Sequence, residues 1–513
     1  MRILMSTLAV PLTMGLAPEM TAGQTALYEK GPLRLDSGLI SGTGSPMSRD
    51  LSVFRGIPYA QPPMGELRWK PPQPVKPWKG IRPALVSGPS APQTPSTMGG
   101  ITEEDWQDED CLYLNVWTPA KSEAEALPVM VWIHGGGFQI GSNSLPLYNC
   151  EKLARKGVVV VSVNYRLNYF GQFAHPWLTE ESENKASGNY GLMDQILALK
   201  WVQSNIRRFG GDPNRVTLFG ESAGSRSVTL LVASPLAKGL FHRGICQSGA
   251  IRDVSTPREI REKQGTSFAE KMGAPSLQAL RAATWDDFKK SGPWDSNPII
   301  DGWVIPDDPA DLYAKGRINK IPLIIGINAD EAMIFLVRSS IDTMEKYKAY
   351  VKQTYGDQAQ KILDAYSDIA QRDVRDAINH IRTDSTMLLT AIEQARWLEK
   401  TGTPVYFYFF TRTPPTTLGK LAKAHHGAEI PYMMGTMGER WGKAEQADRD
   451  LSEAMMRYWT RFAASGDPND QGLPPWPRYT GKTDAYLELG SEIKAGSALR
   501  QDRLRLWESL ERK

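Results

Sequence analysis

The sequence predicts an α/β protein built on a mostly parallel central sheet. Two short apolar runs rich in valine, Val129–Ile133 and Val158–Val163, are typical of strands that are buried on both faces. Apolar residues then recur at helical spacing over Gly191–Ile206, and another short strand follows at Arg215–Phe219. Because strands and helices alternate, we expect right-handed βαβ units.

The other predicted elements extend this plan over most of the chain. Further strands are expected at Ser52–Tyr59, Leu112–Thr118, Ile321–Ile327 and Val405–Phe410. A turn is expected at Asp212–Asn214, and Gln61–Gln93, rich in Pro, Gly and Trp, is expected to be an irregular surface loop. Residues from about 255 to 294 and from about 339 to 396 are polar and helical, which predicts helical insertions over a pocket. We find no flexible linker, so residues 24–513 are expected to form a single domain.

The composition excludes several classes of protein. Among 513 residues, 60 Lys and Arg nearly balance 57 Asp and Glu, and no basic stripe is visible, so no nucleic-acid partner is expected. The three cysteines exclude a disulfide-rich scaffold. No stretch reaches the roughly 18 consecutive apolar residues of a membrane span, so no stable membrane insertion is expected.

Residues 1–23 resemble a secretory signal peptide. Arg2 precedes the mostly apolar run Ile3–Ala17, and small residues follow where cleavage is expected, close to Ala22 or Gly23. This pattern predicts a periplasmic or secreted protein.

A G-x-S-x-G motif, Gly220–Gly224, lies between the Arg215–Phe219 strand and a helical stretch, Ser225–Ala233. The motif alone is weak evidence, but a nucleophile elbow requires this strand–turn–helix context. The glycines permit a strained turn that exposes the serine hydroxyl, and the following helix directs its positive end at developing negative charge. We therefore predict Ser222 as a nucleophile.

A triple glycine in His134–Phe138 follows the Val129–Ile133 strand. Consecutive glycines let backbone N–H groups approach a substrate without obstruction by side chains. An isolated triple glycine would more simply be a flexible turn, but together with the elbow it favours an oxyanion hole. The expected donors are the N–H groups of Gly136, Gly137 and Ala223.

A serine hydroxyl needs a base, which in turn needs an acid to orient it. His425 and His426 follow the Val405–Phe410 strand after a loop, while Asp330 and Glu331 follow the Ile321–Ile327 strand. The spacing does not choose between the two histidines or between the two carboxylates. Adjacent histidines can also bind metal, but no further ligands cluster nearby in sequence, so no metal site is expected.

Long segments of the chain resemble the type-B carboxylesterases, the family of cholinesterases and bacterial para-nitrobenzyl esterases. They extend from about Phe54 to Tyr432 and include FRGIPYAQPPMGELRWKPP, EDCLYLNVW, WIHGGGF, GNYGLMDQILALKWVQSNIRRFGGDPNRVTLFGESAGS, GINADE and HGAEIPY. The resemblance implies an α/β-hydrolase fold, with a mostly parallel sheet flanked by helices, and hydrolysis of carboxylic esters by one catalytic domain.

The resemblance also implies site residues. It assigns the nucleophile, acid and base to Ser222, Glu331 and His426, and the oxyanion donors to Gly136, Gly137 and Ala223. Ser248 falls on a serine that supports the catalytic residues in some relatives. Since neutral His426 would be the base, the rate is expected to fall as the pH drops through about 6–7.

Two departures from the family pattern are informative. Cys111 lacks the cysteine that relatives often carry about 20 residues earlier, so that disulfide is expected to be lost, and Cys150 and Cys246 are not obvious substitutes. Arg226, four residues after Ser222, replaces a residue that is commonly small or apolar. Either it forms a buried structural ion pair, or it contacts the substrate and attracts acidic esters.

The sequence therefore predicts a serine carboxylic-ester hydrolase that forms an acyl-enzyme on Ser222. It acts on a small-molecule ester and needs no metal or organic cofactor. The alternatives are a non-catalytic binding or adhesion protein on the same fold, and a hydrolase specialised for amides, toxin esters or polyesters. The motifs decide neither the substrate nor the oligomeric state.

Overall fold

The computed structural model describes residues 25–96, 100–102, 105–249, 251, 256–438 and 444–511. The signal peptide predicted at residues 1–23 lies outside the described residues and stays a prediction. Within the described part of the chain, no helix is both long enough and apolar enough to cross a membrane.

Among the described residues, eleven strands form the main sheet, in the order β14-β13-β12-β11-β10-β9-β7-β8-β6-β4-β3, while β1, β2 and β5 form a smaller sheet. The central strands from β8 across to β13 are parallel, and antiparallel pairs lie at both margins. The strands are β1 Leu33–Leu35, β2 Gly38–Ser41, β3 Thr43–Gly44, β4 Ser52–Pro58, β5 Ile81–Pro83, β6 Tyr113–Thr118, β7 Leu127–Ile133, β8 Val159–Val163, β9 Gly211–Glu221, β10 Arg243–Gln247, β11 Leu323–Asn328, β12 Val405–Phe410, β13 Tyr486–Leu489 and β14 Ile493–Gly496.

Helices cover both faces of this sheet. They are Glu151–Ala154, Asn168–Gln172, Pro176–Glu181, Tyr190–Asn205, Ala223–Ala233, Arg258–Lys271, Leu277–Ala282, Trp285–Ser291, Pro309–Ala314, Met333–Leu336, Met344–Tyr355, Ala359–Ala365, Ser367–Ala370, Val374–Arg382, Leu389–Lys400, Thr417–Ala422, Ile430–Met434, Gln446–Ser465 and Gln501–Glu511. Helices thus lie in both stretches where insertions are predicted, whereas the assignment of residues 24–513 to one domain stays a prediction.

Burial on both faces explains why the central strands are continuously apolar. Along β7, Val129 and Val131 pack into one hydrophobic cluster, while Met130 and Trp132 pack into the cluster on the opposite face. Each residue of such a strand therefore contributes to one of the two cores. The prediction of a mostly parallel sheet from the valine-rich runs is confirmed.

Two local predictions need correction. The turn expected at Asp212–Asn214 is an irregularity inside β9, where the register with β7 shifts between Leu127 and Val129. Asp212 Oδ1 accepts a hydrogen bond from Asn214 N at 2.9 Å, so the local turn is present although the strand continues through it. The loop expected at Gln61–Gln93 contains β5, which pairs with β2.

Four of the parallel strands end next to the predicted site residues. His134 follows β7, Ser222 follows β9, Glu331 lies three residues beyond β11, and His426 follows β12 after a loop. Because parallel neighbours end at the same edge of a sheet, this topology brings the four segments together. The three cysteines contribute no disulfide to this arrangement, since all are free and buried.

Candidate active site

Ser222 stands at a sharp turn between β9 and the Ala223–Ala233 helix. Its backbone has φ 55° and ψ −120°, a conformation that non-glycine residues rarely adopt. Ser222 N donates a hydrogen bond to Gln247 O at 2.8 Å, which ties the turn to the end of β10. The side chain is partly exposed, as the elbow prediction requires.

The glycines on either side of Ser222 are required by space. A Cβ on Gly224 would lie 2.0 Å from Ile133 O, at the end of β7. A Cβ on Gly220 would lie 2.5 Å from the carbonyl carbon of Gly224. The turn can therefore pack against β7 only without side chains at these two positions, which is the physical basis of the motif.

His426 and Glu331 form a short hydrogen bond. His426 Nδ1 lies 2.6 Å from Glu331 Oε2, and Glu331 Oε1 accepts a second hydrogen bond from Asn328 N at 2.7 Å. Glu331 is buried, and only 14% of the His426 side chain is exposed. With its proton on Nδ1, the imidazole donates to Glu331 and keeps Nε2 as an acceptor.

The alternatives left open by spacing make other contacts. The Asp330 carboxylate accepts hydrogen bonds from Asn379 Nδ2 at 2.8 Å and Ala424 N at 3.3 Å. The imidazole of His425 lies with Nδ1 2.8 Å from His426 O. Of these four residues, the structure joins His426 to Glu331 by a short hydrogen bond.

Glu221, the residue before Ser222, lies beside the other imidazole nitrogen. Its Oε1 is 3.3 Å from His426 Nε2, and the hydrogen bonds among the described residues include none between Ser222 Oγ and His426. A Cβ on Gly135 would lie 3.2 Å from Ser222 Cβ and 2.7 Å from Glu221 Oε2. The first glycine of the triple-glycine loop therefore contacts the same turn. In unliganded enzymes, the hydrogen bond between a serine nucleophile and its base is often long or poorly aligned, and it tightens when substrate binds.

A third carboxylate, Glu429, completes a buried acidic cluster near His426. Its Oε2 accepts from Asn328 Nδ2 at 2.6 Å and its Oε1 from Gln247 Nε2 at 3.1 Å. Sequence analysis missed both Glu429 and Glu221. The available signal was their position within the two motifs, since one precedes Ser222 and the other lies three residues after His426.

These carboxylates control protonation at the site. Burial alone would lower the pKa of His426, but the neighbouring Glu221 and Glu331 carboxylates raise it to about 9. Burial raises the pKa of Glu221 to about 8, against the opposing effect of His426. Burial also raises the pKa of Glu429. The imidazole of His426 is therefore protonated at a higher pH than that of a solvated histidine.

The triple-glycine loop has left-handed backbone at Gly136, φ 101°, and at Gly137, φ 65°. The N–H groups of these two glycines donate none of the hydrogen bonds found among the described residues. Ala223 is the first residue of its helix, where backbone N–H groups have no partner within the helix. The three expected oxyanion donors thus lie on two segments that meet at Ser222.

The model of the Carboxylesterase family matches residues 30–507 of the chain. This chain belongs to the carboxylesterase family. It is 38% identical to fumonisin B1 esterase of Sphingopyxis macrogoltabida, over 90% of this chain and 87% of that protein. It is 36% identical to para-nitrobenzyl esterase of Bacillus subtilis, over 86% and 91% of the two chains. The fatty acyl-CoA hydrolase precursor, medium chain, of Anas platyrhynchos is 36% identical, over 96% and 95%.

Family membership confirms the predicted α/β-hydrolase fold and the prediction of a carboxylesterase acting on carboxylic esters. Its substrates are accordingly small-molecule esters.

Two further predicted residues of this carboxylesterase lie near the elbow. Ser248 N donates to Gly326 O at 2.9 Å, while its buried Oγ has no hydrogen-bond partner among the described residues. Its supporting role stays a prediction. Arg226 is half-buried: its Nη1 donates to Asn297 Oδ1 at 2.8 Å, and its guanidinium lies 5.2 Å from the ring centroid of Phe138. This places Arg226 against the residue that follows the triple glycine.

A cavity of about 560 Å³ lies close to the same loop. Gln93, Pro95, Trp285 and Lys289 are among the residues that line it. Gln93 Oε1 accepts a hydrogen bond from Gly141 N at 2.7 Å, which connects this wall to the segment after the triple glycine. The first predicted insertion therefore contributes to a cavity wall through Trp285 and Lys289.

One group of side chains has the donor atoms of a metal site. Ligand atoms of Asp330, Asp376 and His380 lie within 4.8 Å of one another. Lys423 Nζ is 2.7 Å from Asp376 Oδ1, so a protein ammonium group already provides the positive charge there. Through Asp330, which also accepts a hydrogen bond from Ala424 N, this cluster connects the segments that carry Glu331 and His426.

Proposed function

We propose that this carboxylesterase hydrolyses esters through an acyl-enzyme on Ser222, with His426 as general base and Glu331 as the acid that orients it. The observation that carries the proposal is the 2.6 Å contact between His426 Nδ1 and Glu331 Oε2, next to a strained serine elbow. The test is hydrolysis of para-nitrophenyl esters from acetyl to palmitoyl by the wild type and by Ser222→Ala. The chain-length optimum also measures the acyl pocket.

In this mechanism Ser222 Oγ attacks the ester carbonyl while His426 takes its proton. Glu331 holds the imidazole and stabilises the imidazolium. The N–H groups of Gly136, Gly137 and Ala223 bind the oxyanion, and the loss of one such donor typically costs roughly 3 kcal/mol. His426 then protonates the leaving alcohol, and a water cleaves the acyl-enzyme by the same route.

Above its raised pKa of about 8, Glu221 is ionised and adds a second negative charge next to the imidazolium. Because Glu221 Oε1 lies 3.3 Å from Nε2, it favours the charged form of His426 both before and during attack. Only the neutral imidazole accepts the proton of Ser222, so activity is lost as the pH falls through the pKa of His426. We therefore place the acid limb of kcat/KM above the pH 6–7 expected from an unperturbed histidine.

Glu221→Gln is expected to move that acid limb to lower pH by at least about one unit. The charge of Glu221 raises the pKa of His426 more than the charge of Glu429 does, so an uncharged amide at position 221 restores the neutral base at lower pH. The measurement is kcat/KM against pH for both proteins. Glu429→Gln is the matched control and should produce a smaller displacement, since Glu429 raises the pKa of His426 less. An unchanged midpoint in Glu221→Gln would contradict this role.

A non-catalytic binding protein on the same fold is the alternative from another class. Such a protein would not react with a fluorophosphonate, which needs an activated serine. Covalent labelling of the wild type, absent from Ser222→Ala, would exclude this alternative. The names of the relatives refer to fumonisin B1, to para-nitrobenzyl esters and to medium-chain fatty acyl-CoA. They name three different substrates, and assays on toxin esters, amides and polyesters would distinguish a specialised hydrolase from a general one.

Arg226 is the residue that we propose for recognition of acidic esters. Its guanidinium contacts Phe138, next to the proposed oxyanion donors. Arg226→Met should raise KM for mono-para-nitrophenyl glutarate about tenfold, the typical effect of losing a hydrogen bond to a charged group. The neutral para-nitrophenyl valerate, of equal chain length, should be affected less than twofold. Arg208→Met, at an exposed ion pair with Glu123, controls for the change in net charge. Equal effects on both esters would leave Arg226 a structural role only.

A further inference from the structure

Three large apolar side chains are exposed close to His426. Phe335 is 54% exposed on the Met333–Leu336 helix, while Leu418 and Leu421 are 43% and 58% exposed on the Thr417–Ala422 helix. The two short helices pack against each other. We call these three side chains the apolar rim. Leu418 and Leu421 are three residues apart, so they lie on one face of their helix.

The apolar rim begins at the catalytic imidazole. The ring centroids of Phe335 and His426 are 6.0 Å apart, within the range of aromatic contact. Buried Gly419 and Ala422 anchor the second helix and leave its leucines at the surface. Exposed apolar side chains on two contacting helices, one of them against the His426 ring, are a candidate surface for the apolar part of a ligand.

The proposed mechanism indicates which part of a substrate meets this surface. His426 protonates the leaving group, so the alcohol oxygen of the ester stands beside its imidazole. The acyl chain instead leaves the carbonyl carbon, which is held between Ser222 and the glycine loop. Three side chains on two short helices do not provide the roughly 800 Å² per partner of a stable protein interface, so a single hydrocarbon chain is the more suitable occupant.

We propose that the apolar rim binds the hydrocarbon chain of the ester's alcohol, so that esters of longer apolar alcohols are preferred. This inference rests on the proposed function, because it uses His426 as the group that protonates the alcohol. Each methylene buried fully would improve kcat/KM by up to about fourfold. Because the side chains of the rim are about half exposed, each methylene that they cover should improve kcat/KM about twofold.

The test compares methyl butyrate with hexyl butyrate, both below their solubility limits, by titrating the acid released. In Leu418→Ser/Leu421→Ser, the ratio of kcat/KM for the hexyl ester to that for the methyl ester should fall at least tenfold. Leu85→Ser/Val86→Ser removes two exposed apolar side chains that follow β5 and should keep the wild-type ratio. Circular dichroism and melting curves establish that both double variants are folded.

The outcomes separate this inference from the proposed function. If the wild type hydrolyses both esters and the ratio is the same in the Leu418→Ser/Leu421→Ser variant, the rim proposal is wrong and the mechanism stands. An equal fall in the Leu85→Ser/Val86→Ser control would also overturn it. A series that varies the acyl chain, methyl butyrate against methyl octanoate, should show an unchanged ratio; a change there would place the rim on the acyl side. Hydrolysis that persists in Ser222→Ala would instead refute the proposed function.

Discussion

Ser222→Ala is expected to lower kcat for para-nitrophenyl esters by on the order of 10⁴-fold or more. The hydroxyl is the nucleophile of the proposed mechanism, and alanine removes it while keeping the backbone atoms. Ser222 N would still donate to Gln247 O, so the strained turn should persist. KM should change much less than kcat, because the lost group acts during bond formation.

Ser227→Ala is the matched control on the same helix. Its hydroxyl accepts a hydrogen bond from Gln195 Nε2 at 3.1 Å, far from any role in the proposed reaction. That variant should lose about 1 kcal/mol of stability and keep a kcat within twofold of the wild type. Fluorophosphonate should label it and the wild type, but not Ser222→Ala. A loss of kcat below tenfold in Ser222→Ala would refute the assignment of the nucleophile.

The fold could be predicted because its core elements carry their pattern locally. Strands β7 and β8 are continuously apolar since both of their faces are buried, and the Tyr190–Asn205 helix carries apolar residues at helical spacing. The start of β9 could not be predicted, because a bulge places polar Asp212–Asn214 within a strand. Pairing of β5 with β2 is a contact between distant segments, which a Pro-rich stretch does not reveal.

The site could be predicted only in part. Spacing left Asp330 and Glu331 equivalent, because two adjacent carboxylates after a strand differ only in the direction of their side chains. The structure separates them: Glu331 reaches His426, and Asp330 reaches Asn379. Glu221 was missed because its effect depends on the distance from its carboxylate to His426, on a segment more than 200 residues away. The raised pKa of His426 follows from that distance and could not come from the motif.

Gly136→Ala is the second change with a large expected effect. At φ 101°, a Cβ on Gly136 would lie 2.1 Å from Ile140 O, so the loop must move to accommodate it. The movement would displace an N–H group that we propose as an oxyanion donor. Because loss of one such donor costs about 10²- to 10³-fold in kcat, Gly136→Ala should lower kcat by that factor and change KM less. Both constants are measured with para-nitrophenyl acetate, using active-site titration to count competent enzyme.

Alanine substitutions at two other glycines distinguish displacement of the N–H donor from the effect of backbone strain alone. Gly137, φ 65°, and Gly239, φ 79°, also adopt left-handed backbone, but a Cβ on either would meet no atom within 4 Å. Alanine at Gly239 should therefore cost about 1–2 kcal/mol of stability and leave kcat unchanged. Alanine at Gly137 keeps the loop in place but adds a methyl group in open space at a proposed oxyanion donor, so it should raise KM more than it lowers kcat. If Gly136→Ala kept a kcat within tenfold of the wild type while folded, its N–H would contribute little to the transition state, and the oxyanion would have to be held by Gly137 and Ala223.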